Sequence, residues 1–151
     1  MNRSRRVALQ STGAFATLVS LGLITQSQAQ AAVDRAGYEV KTLAEALKAV
    51  GGTPVNSDQV TVVAPDIAEN GAVVPVGATS KIPNTTEIYL IVEKNPTPMA
   101  AGFKIPAGTA ADVQTRLKMG QSSNVFAVVK ADGKLFSAFK ETKVTLGGCG
   151  G

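Results

Sequence analysis

The stretch that decides the fold is residues 125–139, which read VFAVVKADGKLFSAF. Two apolar runs rich in branched and aromatic side chains flank Asp132-Gly133, a pair that favours the two-residue turn of a β-hairpin. We therefore expect Val125–Val129 and Leu135–Phe139 to be antiparallel neighbours in a β-sheet.

Five more short runs extend this strand pattern towards the N-terminus: Val60–Val63, Ala72–Val76, Ile88–Val92, Phe103–Ile105 and Val113–Met119. Ile88–Val92 is apolar on both faces, which predicts a central strand, whereas Val113–Met119 alternates with polar residues and should have one face in water. Pro75 has no amide hydrogen to donate, so Ala72–Val76 is predicted to be an edge strand. About seven short strands with this spacing predict an all-β, immunoglobulin-like β-sandwich.

A short helix is expected before the strands. Thr42-Leu43-Ala44-Glu45 has the spacing of a capping box, in which Thr42 and Glu45 satisfy each other's free backbone donors. Leu43, Leu47 and Val50 then fall on one face of the helix, and Gly51-Gly52 can end it. The pattern indicates an amphipathic helix that packs on a larger element.

Residues 1–31 have the features of an export signal. Arg5 and Arg6 precede an apolar segment, Ala14–Ile24, that is shorter than the roughly 20 residues of a membrane-spanning helix. The A-x-A pattern that closes the segment predicts cleavage after Ala31.

The export route has two readings. Arg5-Arg6 resembles a twin-arginine signal, which exports proteins already folded. Ala8 and Gln10 depart from that pattern and leave the general secretory route open. Either route predicts a periplasmic protein in which residues 32–146 form the helix and the sandwich and residues 147–151 form a separate arm.

Composition excludes several classes of site. The chain has no histidine and one cysteine, so it cannot supply a Ser-His-Asp triad, an internal disulfide or a thiolate-rich zinc site. Its 11 acidic residues are scattered, and no metal site is expected. Without the three arginines of the leader, the 15 basic residues fall to 12 against 11 acidic ones, a net charge of +1. That charge gives no electrostatic reason to bind nucleic acid or membranes.

The end of the chain holds the most distinctive motif, Gly147-Gly148-Cys149-Gly150-Gly151. Glycine has no Cβ, so the segment has no preferred conformation and no side chain to pack apart from the thiol. Extended from Leu146, the arm can carry the thiol about 10 Å away, at roughly 3.3–3.6 Å per residue. A catalytic group must be held within about 0.5 Å of its working position, which glycines cannot do. Cys149 is therefore predicted to be an attachment point that partner enzymes work on, and the chain is not predicted to be an enzyme.

Other roles for the tail stay open at this point. It can be a frayed end without function, or Cys149 can form a disulfide between two chains, which would make the protein an exported structural or interaction module. A terminal Gly150-Gly151 activated as a carboxylate needs ATP, which an exported protein lacks. A thiol enzyme such as a peroxide scavenger lacks supporting residues near the cysteine.

The segment Ala64–Val76, which reads APDIAENGAVVPV, and the Gly147–Gly151 tail together resemble the SoxY family. These are the carrier subunits of the Sox thiosulfate-oxidising system. The resemblance implies that Cys149 is the covalent attachment site for sulfur and that Gly147, Gly148, Gly150 and Gly151 form the arm. No chemical role is assigned to Ala64–Val76, where we expect a turn at Asn70-Gly71.

The same resemblance implies partners. SoxY-like proteins form a heterodimer with SoxZ, and a c-type cytochrome, SoxXA, joins thiosulfate to the thiol as a cysteine S-thiosulfonate. A manganese-dependent hydrolase, SoxB, then releases sulfate, and in some organisms a molybdenum-containing sulfane dehydrogenase, SoxCD, oxidises the remaining sulfur. The carrier itself is expected to need no cofactor, because its sulfur cargo is bound covalently.

Overall fold

The computed structural model describes residues 37–145. This part of the chain contains one helix followed by nine strands: α1 (Leu43–Val50), β1 (Val55–Asn56), β2 (Val60–Val63), β3 (Ile67–Ala68), β4 (Val74–Ser80), β5 (Thr85–Val92), β6 (Met99–Lys104), β7 (Asp112–Leu117), β8 (Ser123–Ala131) and β9 (Lys134–Val144). Seven of the strands correspond to the seven predicted runs, although their bounds differ. The other two, β1 and β3, have two residues each and were not predicted.

The strands form two sheets packed face to face. The larger has the order β1-β9-β8-β5-β6, with β3 also paired to β9, and the smaller has the order β2-β4-β7. Alternate side chains of each sheet point into one shared core: Val60, Val74, Val76, Ala78, Ile88, Leu90, Val92, Val125, Ala127 and Val129. The prediction of an all-β, immunoglobulin-like sandwich with a short helix is confirmed.

The β8–β9 hairpin turns where the sequence predicted. Asp132 and Gly133 have φ of 48° and 72°, and Ala131 pairs with Lys134 across the turn. Positive φ values at both turn residues give a turn whose twist matches the right-handed twist of the flanking strands, and glycine adopts a positive φ without strain. The turn sets the register in which β9 pairs with β8.

Helix α1 covers the outer face of the larger sheet. Its capping box is present, with the Glu45 amide donating to Thr42 Oγ1 at 3.2 Å and the Thr42 amide donating to Glu45 Oε2 at 3.2 Å. Buried Ala46 and Val50 pack on side chains of the sheet, namely Ile91, Met99 and Val128. Strand β5 is thus buried on both faces, as predicted. No helix within residues 37–145 has the length and apolar character to cross a membrane.

The prediction of an edge strand at Pro75 was wrong for the strand as a whole. β4 is the central strand of the smaller sheet. However, β2 pairs only with Gly77–Ser80, so the part of β4 that contains Pro75 has β7 as its one strand neighbour. A missing amide hydrogen therefore interrupts no bond to β2.

Candidate functional site at the root of the C-terminal arm

Strand β9 carries the chain to the start of the predicted arm, and the described residues end at Thr145. Predictions for the arm itself lie outside these residues: Cys149, Gly147, Gly148, Gly150 and Gly151. The same holds for the leader residues Arg5, Arg6 and Ala31 and for the boundaries at residues 31 and 146. The structure does describe the root of the arm, Lys143–Thr145, and the contacts that this root makes within residues 37–145.

Strand β3 holds one edge of the root. Ile67 pairs with Lys143 and Ala68 with Val144 in parallel register. The Lys143 amide donates to the Asp66 carbonyl at 2.9 Å, and the Thr145 amide donates to the Ala68 carbonyl at 3.0 Å. The root is thus fixed by main-chain hydrogen bonds almost to the last described residue.

A turn beginning at Asn70 follows strand β3. The Asn70 carbonyl accepts from the Val73 amide at 3.3 Å, and Asn70 Oδ1 accepts from the Ala72 amide at 3.0 Å. The predicted turn at Asn70-Gly71 is confirmed. Within the described residues, the pairing of β3 with β9 is followed directly by this turn.

A second contact fixes the other side of the root. The Val144 amide donates to Ser122 Oγ at 2.9 Å, and the Met119 amide donates to the Gly71 carbonyl at 2.7 Å. A Cβ on Gly71 would lie 2.5 Å from the Met119 carbonyl oxygen and 2.8 Å from Val144 Cγ1. Glycine is therefore favoured at this position because the Met119 backbone and the Val144 side chain of β9 both lie close to it.

The segment Ala64–Ala68, here called the strap, is also attached to β9 by side chains. Lys140 Nζ donates to the Ala64 carbonyl at 2.6 Å and lies 3.0 Å from Asp66 Oδ1. Thr142, fully buried, donates from Oγ1 to the Pro65 carbonyl at 2.9 Å. Sequence reasoning assigned no chemical role to this region, and the structure gives it a mechanical one: the strap fixes the end of β9.

Elsewhere the described residues offer little for chemistry. Within residues 37–145, no group of three or more Asp, Glu, His or Cys side chains is placed to hold a metal ion. A cavity of about 430 Å³ opens at the opposite end of the sandwich, between the end of β4 and the β6–β7 loop, with Ser80, Lys81 and Thr109 in its wall. The root of the arm, Lys143–Thr145, is the part of the described chain that lies nearest in sequence to the predicted attachment site at Cys149.

Known proteins resemble the chain at the level of both family and structure. The family described as sulfur oxidation protein SoxY matches residues 46–149. The solved structure of the sulfur carrier protein SoxY from Chlorobium limicola f thiosulfatophilum is similar, with 38% identity and a TM-score of 0.60 over 66% of this chain and 92% of that chain. Comparison with curated proteins gives no match.

Two further structures match with lower scores. A chain from a structure of T cell specificity and activation by the bacterial superantigen toxic shock syndrome toxin-1 has 10% identity and a TM-score of 0.41, over 57% of this chain and 99% of that chain. The human F-spondin reeler domain has 12% identity and a TM-score of 0.38, over 62% and 93%. Neither score carries an argument about function. The family model matches residues 46–149, and the chain therefore belongs to the SoxY family of sulfur oxidation proteins.

Proposed function

We propose that this protein is a carrier in thiosulfate oxidation, holding sulfur intermediates covalently on Cys149 and presenting them to partner enzymes. The observation that carries the proposal is that the SoxY family match runs to residue 149 and so includes the chain's one cysteine. The similar structure from Chlorobium limicola f thiosulfatophilum is itself that of a sulfur carrier protein.

The loading step joins two sulfur atoms. The Cys149 thiol loses its proton, its sulfur bonds to the outer sulfur of thiosulfate, and two electrons pass to a c-type cytochrome, SoxXA. The product is a cysteine S-thiosulfonate. Because an ordinary cysteine has a pKa near 8.5, only a few per cent is thiolate at neutral pH, and the partner enzyme is expected to activate it.

Later steps release sulfate and regenerate the thiol. In SoxB, the oxygen of a water molecule bonds to the sulfonate sulfur while the sulfur–sulfur bond breaks. Sulfate and a proton leave, and a persulfide remains on Cys149. Where SoxCD is present, it oxidises the outer persulfide sulfur to a sulfonate with oxygen from water and passes the electrons to its own acceptor. A second hydrolysis then frees the thiol.

The composition of the arm supports a carrier that leaves catalysis to its partner enzymes. A segment of four glycines around one thiol cannot hold a nucleophile, a base and an oxyanion donor in fixed positions. We therefore propose that the chain has no catalytic activity of its own and that SoxZ completes the carrier as its heterodimer partner. The twin-arginine-like leader with Arg5 and Arg6, cleaved after Ala31, would place the complex in the periplasm.

The test is the intact mass of the protein purified from cells metabolising thiosulfate, measured before and after a thiol reductant. We expect mass increases equal to sulfane sulfur and thiosulfate groups, removed by the reductant and absent from Cys149→Ser. A covalent dimer as the one modified form would favour the alternative of a cross-linked structural module. Thiosulfate turnover by the isolated chain would contradict the carrier role.

A further inference from the structure

Asn70 is the chain's one asparagine that is followed by glycine. Its side chain is exposed, and its Oδ1 accepts a hydrogen bond from the Ala72 amide at 3.0 Å. The amide of Gly71, between these two residues, donates no hydrogen bond to another group within residues 37–145. The nitrogen of Gly71 is therefore available to react with the neighbouring side chain.

These features favour attack of the Gly71 nitrogen on Cγ of Asn70. Glycine has no Cβ to hinder the approach, and its backbone adopts the conformations needed for ring closure without strain. When the nitrogen bonds to Cγ, negative charge develops on Oδ1, to which the Ala72 amide already donates. A backbone N–H that is in place before an oxyanion develops stabilises the transition state.

The other asparagines within residues 37–145 lack this arrangement. The Ser57 amide, which would attack Asn56, donates to the Ser137 carbonyl at 2.9 Å. Asn95 precedes a proline, whose nitrogen has no proton to lose. The remaining two precede β-branched residues, which crowd the attacking nitrogen, and their side-chain amides donate to carboxylates: Asn84 to Asp132 at 3.1 Å and Asn124 to Glu93 at 2.9 Å.

We propose that Asn70 is a site of spontaneous deamidation, at which the chain converts its own asparagine to aspartate and isoaspartate. The Gly71 nitrogen loses its proton and bonds to Cγ, the bond from Cγ to Nδ2 breaks, and ammonia leaves with that proton. Water then opens the cyclic succinimide at either carbonyl carbon. Opening at Cγ gives aspartate, and opening at the main-chain carbonyl carbon gives isoaspartate.

Isoaspartate changes the turn that packs beside the root of the arm. The main chain then runs through Cβ and Cγ of residue 70 and gains a methylene group. The Asn70 carbonyl, which accepts from the Val73 amide at 3.3 Å, becomes part of a carboxylate outside the main chain. Gly71, whose carbonyl accepts from the Met119 amide at 2.7 Å, has to shift in a position where Val144 leaves little room. The isoaspartate form is therefore expected to be less stable than the unmodified protein.

The experiment incubates the purified folded protein at mildly alkaline pH, where the attacking amide loses its proton more readily. Trypsin then releases residues 49–81 as one peptide, which contains both Asn56 and Asn70. Relative to a sample digested before incubation, tandem mass spectrometry should show conversion of amide to acid at Asn70 and not at Asn56. Isoaspartyl methyltransferase should label the same peptide.

Asn70→Gln is the matched variant, since it keeps a side-chain amide at this position. Its conversion should be at least about tenfold slower, a difference of about 1.4 kcal/mol in the barrier. The reason is that closure of the larger ring must fix one more rotatable bond. The isoaspartate form, separated by ion exchange, should melt at a lower temperature than Asn70→Asp, which carries the same charge on an ordinary main chain.

Three results would overturn the inference. If Asn70 kept its amide in the folded protein over an incubation in which the urea-unfolded chain lost it, the turn would protect the side chain instead of favouring its reaction. Equal conversion of Asn56 and Asn70 in the folded protein would show that the Gly71 and Ala72 amides do not direct the chemistry. Equal melting temperatures of the isoaspartate form and Asn70→Asp would contradict the effect assigned to the longer main chain.

Discussion

At the residue scale, Gly71 shows how tightly the root of the arm is built. Neither Gly71 nor the exposed Gly120 has a positive φ, so backbone strain does not distinguish them. A Cβ on Gly71 would meet the Met119 carbonyl oxygen at 2.5 Å, whereas nothing lies within 4 Å of a Cβ on Gly120. Gly71→Ala should therefore lower the free energy of unfolding by about 1–3 kcal/mol, because backbone must move to make room.

Urea denaturation of the two alanine variants checks this expectation. Gly120→Ala, the matched control, should stay within about 0.5 kcal/mol of the unaltered protein, as substitutions in open surface positions do. If both variants had the same stability, the packing of the Asn70-Gly71 turn against β9 would be looser than the structure indicates.

At the element scale, the capping box makes α1 sensitive to pH. The Lys41 amide donates to Glu45 Oε2 at 3.0 Å, and this hydrogen bond, with those from Thr42, lowers the pKa of the Glu45 carboxyl despite an opposing effect of desolvation. A lowered folded-state pKa stabilises the protein above the ordinary carboxyl pKa of about 4.3. That contribution is lost as the pH falls through the lower, folded-state value.

The comparison is the melting temperature of the unaltered protein with that of Glu45→Gln. Glutamine keeps the hydrogen-bonding shape and removes the charge, so the gap should be wide near neutral pH and close as the carboxyl is protonated in acid. Glu39→Gln, which removes an exposed carboxylate before the helix, controls for net charge. A gap that stayed constant into acid would contradict the role assigned to the carboxylate.

Elements specified by neighbouring residues were the ones predictable from sequence. The Asp132-Gly133 hairpin and the Thr42–Glu45 box each depend on residues within a few positions, and both are confirmed. Strands β1 and β3 were missed because two residues carry no periodicity and their partner, β9, lies far along the chain. The strap was missed for the same reason: Lys140 meets Ala64 across 76 positions.

The edge assignment of Pro75 failed differently. A proline indicates that one side of a residue lacks a ladder bond, and that holds here, where β2 stops at Gly77. It does not indicate that the whole strand lies at an edge. The candidate site shows the same contrast between local and long-range features. The cysteine and its glycines can be recognised from the sequence, whereas the strap and β9, which form the root, are brought together by tertiary pairing.

At the scale of the whole molecule, the proposed carrier separates into a fixed body and a narrow arm with different tolerances. The backbone amides of Lys143–Thr145 donate to the strap carbonyls and to Ser122 Oγ, which fixes the body up to Thr145. On the proposed function, the arm's chemistry depends on passing through another protein's channel. A bulky side chain beside Cys149 should obstruct that passage without touching the body. Gly148→Phe is expected to lower thiosulfate loading by SoxXA at least about tenfold and to leave the melting temperature unchanged.

Ala107→Phe is the control for this substitution, because it adds the same ring at an exposed position by the cavity at the opposite end of the sandwich. Iodoacetamide, which needs no channel, should alkylate Cys149 at similar rates in Gly148→Phe, Ala107→Phe and the unaltered protein. A parallel fall in enzymatic loading and in alkylation would mean that the ring shields the thiol directly, and passage through a channel would then not be what limits the reaction. A fall in enzymatic loading without a fall in alkylation would distinguish obstruction of the channel from shielding of the thiol. Alkylation by the small reagent measures access to the sulfur, whereas enzymatic loading also requires that the arm fit into the channel.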